Sequence, residues 1–360
     1  MAMHKQVILR SGASMPLVGL GTVAATAGEM ATAVADALNA GYRHIDCASV
    51  YRNEAEVGAA IAASALPRHE LFITSKLWND RRRPSDVCDA LEQTLRDLRL
   101  QYLDLYLIHW PVVWRRDSLL KPDNHASLKE CWQTLELLVD AGKIRHIGVS
   151  NYNQSEIEQL LSYARIKPTV NQIELHPRLP QSSLVSYCQS QGIVVTAYCP
   201  LGRGGKNGLL VHPVVAAIAA RCGVPPASVV LRWNVDRGVA VVPKSSNPTR
   251  LSSNIELWSF TLSAAETAEL DALSDGARIV RVPWNSFDDC RSPTDYALYA
   301  VARAVCAVVF TVLRIDITSF GSRSEAAPVT SASSDAAVAA PAVAAPAASA
   351  SASSHSAAAA

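Results

Sequence analysis

Four side chains carry most of the chemistry that the sequence can offer. Asp46, Tyr51, Lys76 and His109 fall at or just past the ends of short apolar runs, in H-I-D-C-A-S-V-Y-R-N-E-A-E-V-G, L-F-I-T-S-K-L-W and Y-L-D-L-Y-L-I-H-W-P. Brought together, a carboxylate, a phenol, an ammonium and an imidazole make an acid–base site around a tyrosine. A phenol with a pKa of about 10 is a weak acid at neutral pH. A lysine cation beside it favours the phenolate and is expected to lower that pKa, and an aspartate paired with the lysine keeps it charged and in place. The plainer alternatives are a buried ion pair of Asp46 with Lys76 and a satisfied core histidine at His109. Four such groups at matching strand ends favour the chemical reading.

Elements that bring those ends together can be read from the apolar pattern. A hairpin is expected around Ser11-Gly12. Strands are expected at 42–47, 71–76, 103–109, 144–150, 169–174, 193–198 and 238–243. Helices are expected at 29–40, 54–63, 84–98, 128–141, 154–161, 180–191, 213–222, 226–236 and 263–273, several of them opened by proline or closed by glycine. Strand and helix alternate about eight times, and the strands are short and rich in Ile and Val, as in a parallel sheet covered on both faces. Eight such units close into a barrel with its site at the strand C-termini. Asp46, Lys76, His109, Ser150, Gln172, Tyr198 and Lys244 all fall at such ends. Closure gathers them, whereas an open sheet would spread them. The expected fold is therefore α/β, a (β/α)8 TIM barrel with an N-terminal β-hairpin.

Barrel domains commonly run to about 250 residues, so residues 1–289 are expected to form one domain. Residues 290–320 read as an apolar and mixed extension. Residues 321–360 are almost entirely Ala, Ser, Pro, Val and Thr. That tail has too few large apolar groups to offset ordering entropy and is expected to be disordered. The apolar stretch 296–313 is interrupted by Arg303 and falls short of the roughly 20 residues of a bilayer span. Membrane association is not expected. A net charge of +1 argues against a nucleic-acid partner. The cysteines show no C-x-x-C pair and there is no secretory signal, so a cytoplasmic protein with reduced thiols is expected. No set of His, Cys or carboxylates has metal-ligand spacing. The basic run Arg81-Arg82-Arg83 reads as a solvated loop, and His176 as structural. Gly19 to Ala24 matches G-x-G-x-x-A, but no helix opens at Gly21, which weakens a dinucleotide-fingerprint reading.

The motifs G-Y-R-H-I-D-C-A-S-V-Y-R-N-E, I-T-S-K-L-W, L-I-H-W-P, I-G-V-S-N-Y, V-N-Q-I-E-L-H-P, A-Y-C-P-L-G and V-P-K-S-S-N-P-T-R-L-S-S-N stand in this order. Over residues 7–289 the chain resembles the aldo-keto reductases, on the branch of aldose and aldehyde reductases. The resemblance implies a TIM barrel that uses NADPH, with NADH as a weaker alternative, and the catalytic tetrad Asp46, Tyr51, Lys76 and His109. It implies an NADPH-dependent reduction of aldehydes or ketones, aldoses among them, with Tyr51 as general acid and His109 orienting the carbonyl. Trp78, Trp110 and Trp114 would wall the pocket.

The same resemblance assigns the cofactor contacts. Tyr198 would stack on the nicotinamide, whose amide Ser150, Asn151 and Gln172 would hold. Lys244, Ser245 and Arg250 would meet the 2′-phosphate, and Asn254 the adenine. Gly21 and Thr22 would let backbone approach the cofactor, Asp46 would adjoin it, and Leu201 and Gly202 would follow the pyrophosphate. The implied partner is a small carbonyl compound and the implied state a monomer. This chain departs from the family pattern at Val23, Cys199 and Ser253, in a shorter loop after Gly202, and in R-V-P-W-N-S-F-D-D with its Trp284. Two other functions compete: a cofactor-binding regulatory barrel with little turnover, and a Rossmann-type dehydrogenase built on Gly19 to Ala24.

Overall fold

Gly12, at φ 86°, turns the chain between β1 (Gln6–Ile8) and β2 (Ser14–Pro16), an antiparallel pair in which Val7 faces Met15. The computed structural model describes residues 6–23, 28–116, 123–202 and 208–280. The expected extension and tail, Trp284, and most of the loop after Gly202 lie outside them.

After the hairpin come eight parallel strands: β3 (Leu20–Gly21), β4 (His44–Asp46), β5 (Phe72–Leu77), β6 (Leu103–Ile108), β7 (Ile144–Ser150), β8 (Val170–Glu174), β9 (Val194–Tyr198) and β10 (Ala240–Val241). They pair in sequence order, and a parallel bridge from Val18 to Val241 joins the last strand to the first. Val241 N donates to Leu17 O (2.7 Å) and Gly19 N to Val241 O (2.8 Å). The sheet is thus a closed barrel, as expected, and the open Rossmann sheet is excluded. Strand residues are buried on both sides, as throughout β5 and β8, because helices cover the outer face.

Those helices are α1 (Glu29–Asn39), α2 (Glu54–Ala63), α3 (Pro84–Leu98), α4 (Leu128–Asp140), α5 (Gln154–Leu161), α6 (Ser182–Ser190), α7 (Pro213–Cys222), α8 (Pro226–Asp236), α9 (Pro248–Ile255) and α10 (Ala264–Asp271). Asn153 with Glu156 caps α5, and Ser263 with Glu266 caps α10, each through reciprocal bonds. Helix α6 starts later than its sequence suggests, because Gln181 takes a left-handed conformation at φ 43°. Strand β10 is shorter than expected. Gly238 turns at φ 72°, and Pro243 has no N–H to extend the ladder. Helix α9 was not expected, although Asn247 caps it and Pro248 opens it.

Helix α2 packs closely on α3: a Cβ on Gly58 would lie 2.3 Å from Asp97 O. Beside this contact Glu54 is buried, accepting from Ser75 Oγ (2.6 Å) and Thr94 Oγ1 (3.1 Å). It therefore ties α2 to β5 and α3. Burial pushes its carboxyl from an ordinary 4.5 up to about 6, against the two hydroxyls, which lower it. The folded protein holds this proton more tightly than the unfolded chain does. Ionisation of Glu54 thus costs nothing below about pH 4.5 and its full amount above about pH 6, roughly 2 kcal/mol. Urea denaturation of Glu54→Gln and the parent should show the difference moving in the variant's favour by about that amount between roughly pH 4 and pH 7. A difference that does not move with pH would contradict the raised pKa.

Candidate active site

The site begins with two neighbouring strands. Asp46 ends β4, and Lys76 lies on β5 beside it. Lys76 Nζ donates to Asp46 Oδ1 (2.5 Å) and to Cys47 O (2.8 Å), with both charged side chains almost wholly buried. Gln172, on β8, reaches across and donates from Nε2 to Asp46 Oδ2 (2.7 Å). Thr22 donates to Asp46 O from both its N (3.1 Å) and its Oγ1 (3.0 Å). Burial works to strip the proton from Lys76, but Asp46 and Tyr51 outweigh it and its pKa is raised. The pair is therefore an ion pair at neutral pH.

Tyr51 closes a 3₁₀ turn (Ser49–Tyr51) just past β4, and Lys76 Nζ lies 5.5 Å from its ring centroid. Ser49 Oγ donates to Lys76 O (3.2 Å), which anchors the turn to β5. The expected lowering of the phenol pKa is not what this geometry gives. Burial raises it, Lys76 lowers it, and Asp46 raises it again; the net direction is upward. Burial is the largest of these effects, and it outweighs the lowering by Lys76, which Asp46 partly offsets.

His109 follows β6, with its N donating to Leu77 O (3.1 Å). Its ring meets Trp78 edge-on at 5.0 Å and Tyr51 at 6.1 Å between centroids. Nδ1 is buried with no hydrogen-bond partner among the described residues. Burial, then Lys76 and Arg82, push its pKa well below the ordinary 6.5, so the imidazole is neutral.

Asp46, Tyr51 and His109 open on a cavity of about 740 Å³, lined also by Gly21, Thr22, Trp78 and Trp110. Farther along the wall are Asn151, Gln172, Tyr198 and Leu201. Tyr198 OH donates to Asn151 Oδ1 (2.7 Å), Asn151 Nδ2 to His109 O (3.0 Å) and Ser150 Oγ (3.1 Å), and Ser150 Oγ to Gln172 O (2.8 Å). This chain of bonds links β6, β7, β8 and β9 at one level. Lys244, Ser245, Arg250 and Asn254 line the same cavity. Arg250 and Asn254 stand one turn apart on α9, so the helix missing from the sequence reading is what aligns them. Arg250 Nε lies 3.5 Å from Ser245 Oγ, and among the described residues neither Lys244 nor Arg250 pairs with a carboxylate.

Lys76, Ser150, Gly202 and Trp114 do not line the cavity. Lys76 and Ser150 lie behind it in the networks above, and Trp114 packs edge-on to Trp78 at 5.7 Å between centroids. Ser253 does not reach it either, its hydroxyl donating back to Arg250 O (3.2 Å). Val23 and Cys199, where the chain departs from the family pattern, do line it, as do Val50, Val242 and Val280, which the sequence did not single out. Cys199, at φ 48°, follows Tyr198, and no residue pattern marks a strand end that turns left-handed. The solvated reading of the basic run fails at Arg82, which is fully buried and donates to Trp110 O (3.1 Å) and Asn79 Oδ1 (3.3 Å). Arg83 bridges to Asp123 (2.9 Å).

Comparison with known proteins gives a consistent result. The model of the family described as "Aldo/keto reductase family" matches residues 17–275. The mouse protein "Aldo-keto reductase family 1 member A1" is 45% identical over 309 residues, covering 80% of this chain and 95% of the relative. A Synechocystis aldo/keto reductase is 46% identical over 292 residues, covering 76% and 89%. Among solved structures, the aldose reductase of Schistosoma japonicum superposes with a TM-score of 0.75 at 42% identity, covering 80% of this chain and 99% of that one. A Bombyx mori aldo-keto reductase in complex with NADP gives 0.74 at 37% identity, covering 81% and 100%.

The Asp46–Lys76 pair can be tested by stability alone. Removing one partner of a buried pair leaves the other charge uncompensated, at a cost of about 3–5 kcal/mol. Lys76→Met is expected to lose that much in urea denaturation at neutral pH. A loss below about 1 kcal/mol would be the value for an exposed pair and would contradict the buried geometry.

Proposed function

The chain belongs to the aldo/keto reductase family, oxidoreductases that reduce carbonyl compounds with NADPH, and on that premise we propose that it reduces aldehydes and ketones to alcohols with Tyr51 as the general acid. One observation carries the reading. Tyr51, neutral His109 and Asp46, the last held by Lys76 from behind, line the same cavity as Lys244 and Arg250.

The wall formed by Lys244, Ser245 and Arg250 fits an NADPH molecule. Two cations with no carboxylate partner among the described residues, with the Ser245 hydroxyl beside Arg250, make a donor set for a dianionic phosphate, which arginine can bind through two N–H groups at once. Asn254 adjoins them for the adenine. Asn151 and Gln172 supply amide groups for the nicotinamide carboxamide, with Ser150 bracing both from behind and the Tyr198 ring beside them on the wall. Thr22, Leu201 and the close approach at Gly21, where a Cβ would lie 2.6 Å from Val242 O, complete the path between. When bound, NADPH supplies the hydride.

The remaining steps belong to this chain's own groups. As hydride adds to the carbonyl carbon, charge builds on oxygen. Tyr51 gives that oxygen its proton. A raised phenol pKa keeps Tyr51 protonated through neutral pH, and an alkoxide is a much stronger base than a phenolate, so the transfer still runs downhill. Lys76 then faces a phenolate and stabilises it, with Asp46 and Gln172 holding the lysine in place. Neutral His109 offers the carbonyl oxygen a hydrogen bond without bringing a second charge. Trp78, Trp110 and Val50 exclude water, which strengthens these interactions.

Two substitutions test this reading. Tyr51→Phe keeps the ring and removes the proton donor, so kcat should fall by about 10²–10⁴-fold with NADPH affinity nearly unchanged. A variant with most of its activity would rule Tyr51 out as the acid. Arg250→Ala removes a charge-assisted bond of roughly 1.5–3 kcal/mol and should weaken NADPH far more than NADH. Equal losses, read by fluorescence titration with each cofactor, would remove the 2′-phosphate assignment.

A further inference from the structure

The motif V-N-Q-I-E-L-H-P contains a carboxylate and an imidazole that the reaction does not use. Glu174 ends β8, and Glu174 and His176 are both fully buried. Glu174 Oε1 accepts from Ile279 N (2.6 Å) and lies 3.1 Å from His176 Nε2, while Oε2 accepts from Val280 N (2.8 Å). Burial alone would raise the carboxyl pKa, but these donors reverse the direction and hold it below the ordinary range. A carboxylate suits the place because it is acceptor-only and has two oxygens for three donors.

The segment it grips is tied down a second time. Arg178, from the same turn, donates from Nε (3.0 Å) and Nη2 (2.5 Å) to Asp275 Oδ2, and Asp275 N donates to Arg178 O (3.3 Å). Residues 275–280 therefore run as a strap across the end of β8. Ile279 packs toward Gly202, within 4.0 Å of where a Cβ on that glycine would lie, and Val280 lines the cavity. The backbone that places Val280 is fixed by a side chain more than a hundred residues earlier, at |i−j| of 106.

We propose that Glu174 is a positioning residue that clamps residues 279–280 as an apolar wall of the cavity and so determines which carbonyl compounds fit. The inference rests on the reading of this cavity as a carbonyl-reduction site. The substrates it favours are aldehydes whose apolar body, a ring or long chain, reaches the wall. Short aliphatic aldehydes, which do not reach it, depend on it little. Glu174 touches neither Tyr51 nor Lys76, so its loss should alter KM rather than kcat.

The test uses the full chain and two independent readouts. Glu174→Gln puts an N–H donor where an oxygen accepted, and so opens the clamp. Arg278 is buried in the parent. Brief trypsin digestion, followed by mass spectrometry, should find cleavage after Arg278 in the variant and not in the parent. KM for 4-nitrobenzaldehyde should rise by roughly tenfold or more, the range for losing apolar contact in a pocket. The kcat for that substrate, KM for propanal and the NADPH Kd should stay within about twofold of the parent. An Arg278 that stays protected, or a KM that does not change once the strap is cut free, would overturn the proposal. If Glu174→Gln fails to fold, Val280→Ala decides. It leaves the clamp closed, so the same rise in KM is expected without cleavage, and an unchanged KM would overturn the proposal. A parent without turnover on any aldehyde would refute the proposed function instead, and the protease result would still report on the clamp.

Discussion

A carboxylate and an ammonium are buried together at the centre of this barrel, and much of the site follows from keeping them there. Each ion would cost several kcal/mol to bury alone, and attraction offsets that only when geometry and further hydrogen bonds are satisfied. Lys76 meets Asp46 Oδ1 and Cys47 O, and Gln172 takes Asp46 Oδ2. The bond from Gln172 comes from β8, four strands away from β4 in the sheet, and is short because the sheet has closed. Barrel closure and charge pairing therefore support one another.

The pair also sets the electrostatics around it. A bare lysine would drive Tyr51 toward phenolate. Burial, with Asp46 offsetting part of the lysine's pull, leaves the phenol protonated, and Lys76 lies close enough to stabilise its conjugate base once a proton has left. Burial, with Lys76 and Arg82 acting in the same direction, keeps His109 neutral. The two neighbours of one cation are both uncharged before any reaction, so little must be reorganised when charge appears on a substrate oxygen.

The barrel strands were legible because parallel strands covered on both faces appear as short apolar runs, and the polar residues ending those runs mark the site. Asp46, Tyr51, His109 and Gln172 could be found in that way, and the structure gathers them. Other features were hidden for particular reasons. Helix α9 carries few apolar residues, and N-P-T-R-L-S-S-N reads as a polar loop although its Asn-Pro start is a helix signal. Arg82 stands between two arginines that solvent reaches, and its burial depends on carbonyls of the loop after β6. Glu174 was visible as a residue but not as a clamp, since two of its partners are backbone N–H groups that no side-chain pattern records. The direction of the Tyr51 pKa is not legible, because the sequence shows a lysine near a tyrosine without showing how deeply the phenol is buried.

Steady-state oxidation of NADPH in the presence of a panel of aldehydes and ketones tests the central claim most directly. The proposed proton donor Tyr51, a neutral His109 and the proposed phosphate-binding pair Lys244 and Arg250 in one cavity predict turnover with at least one aldehyde, faster with NADPH than with NADH. Tight NADPH binding with no turnover on any member of the panel would contradict it, and would leave a cofactor-binding barrel that performs no carbonyl reduction.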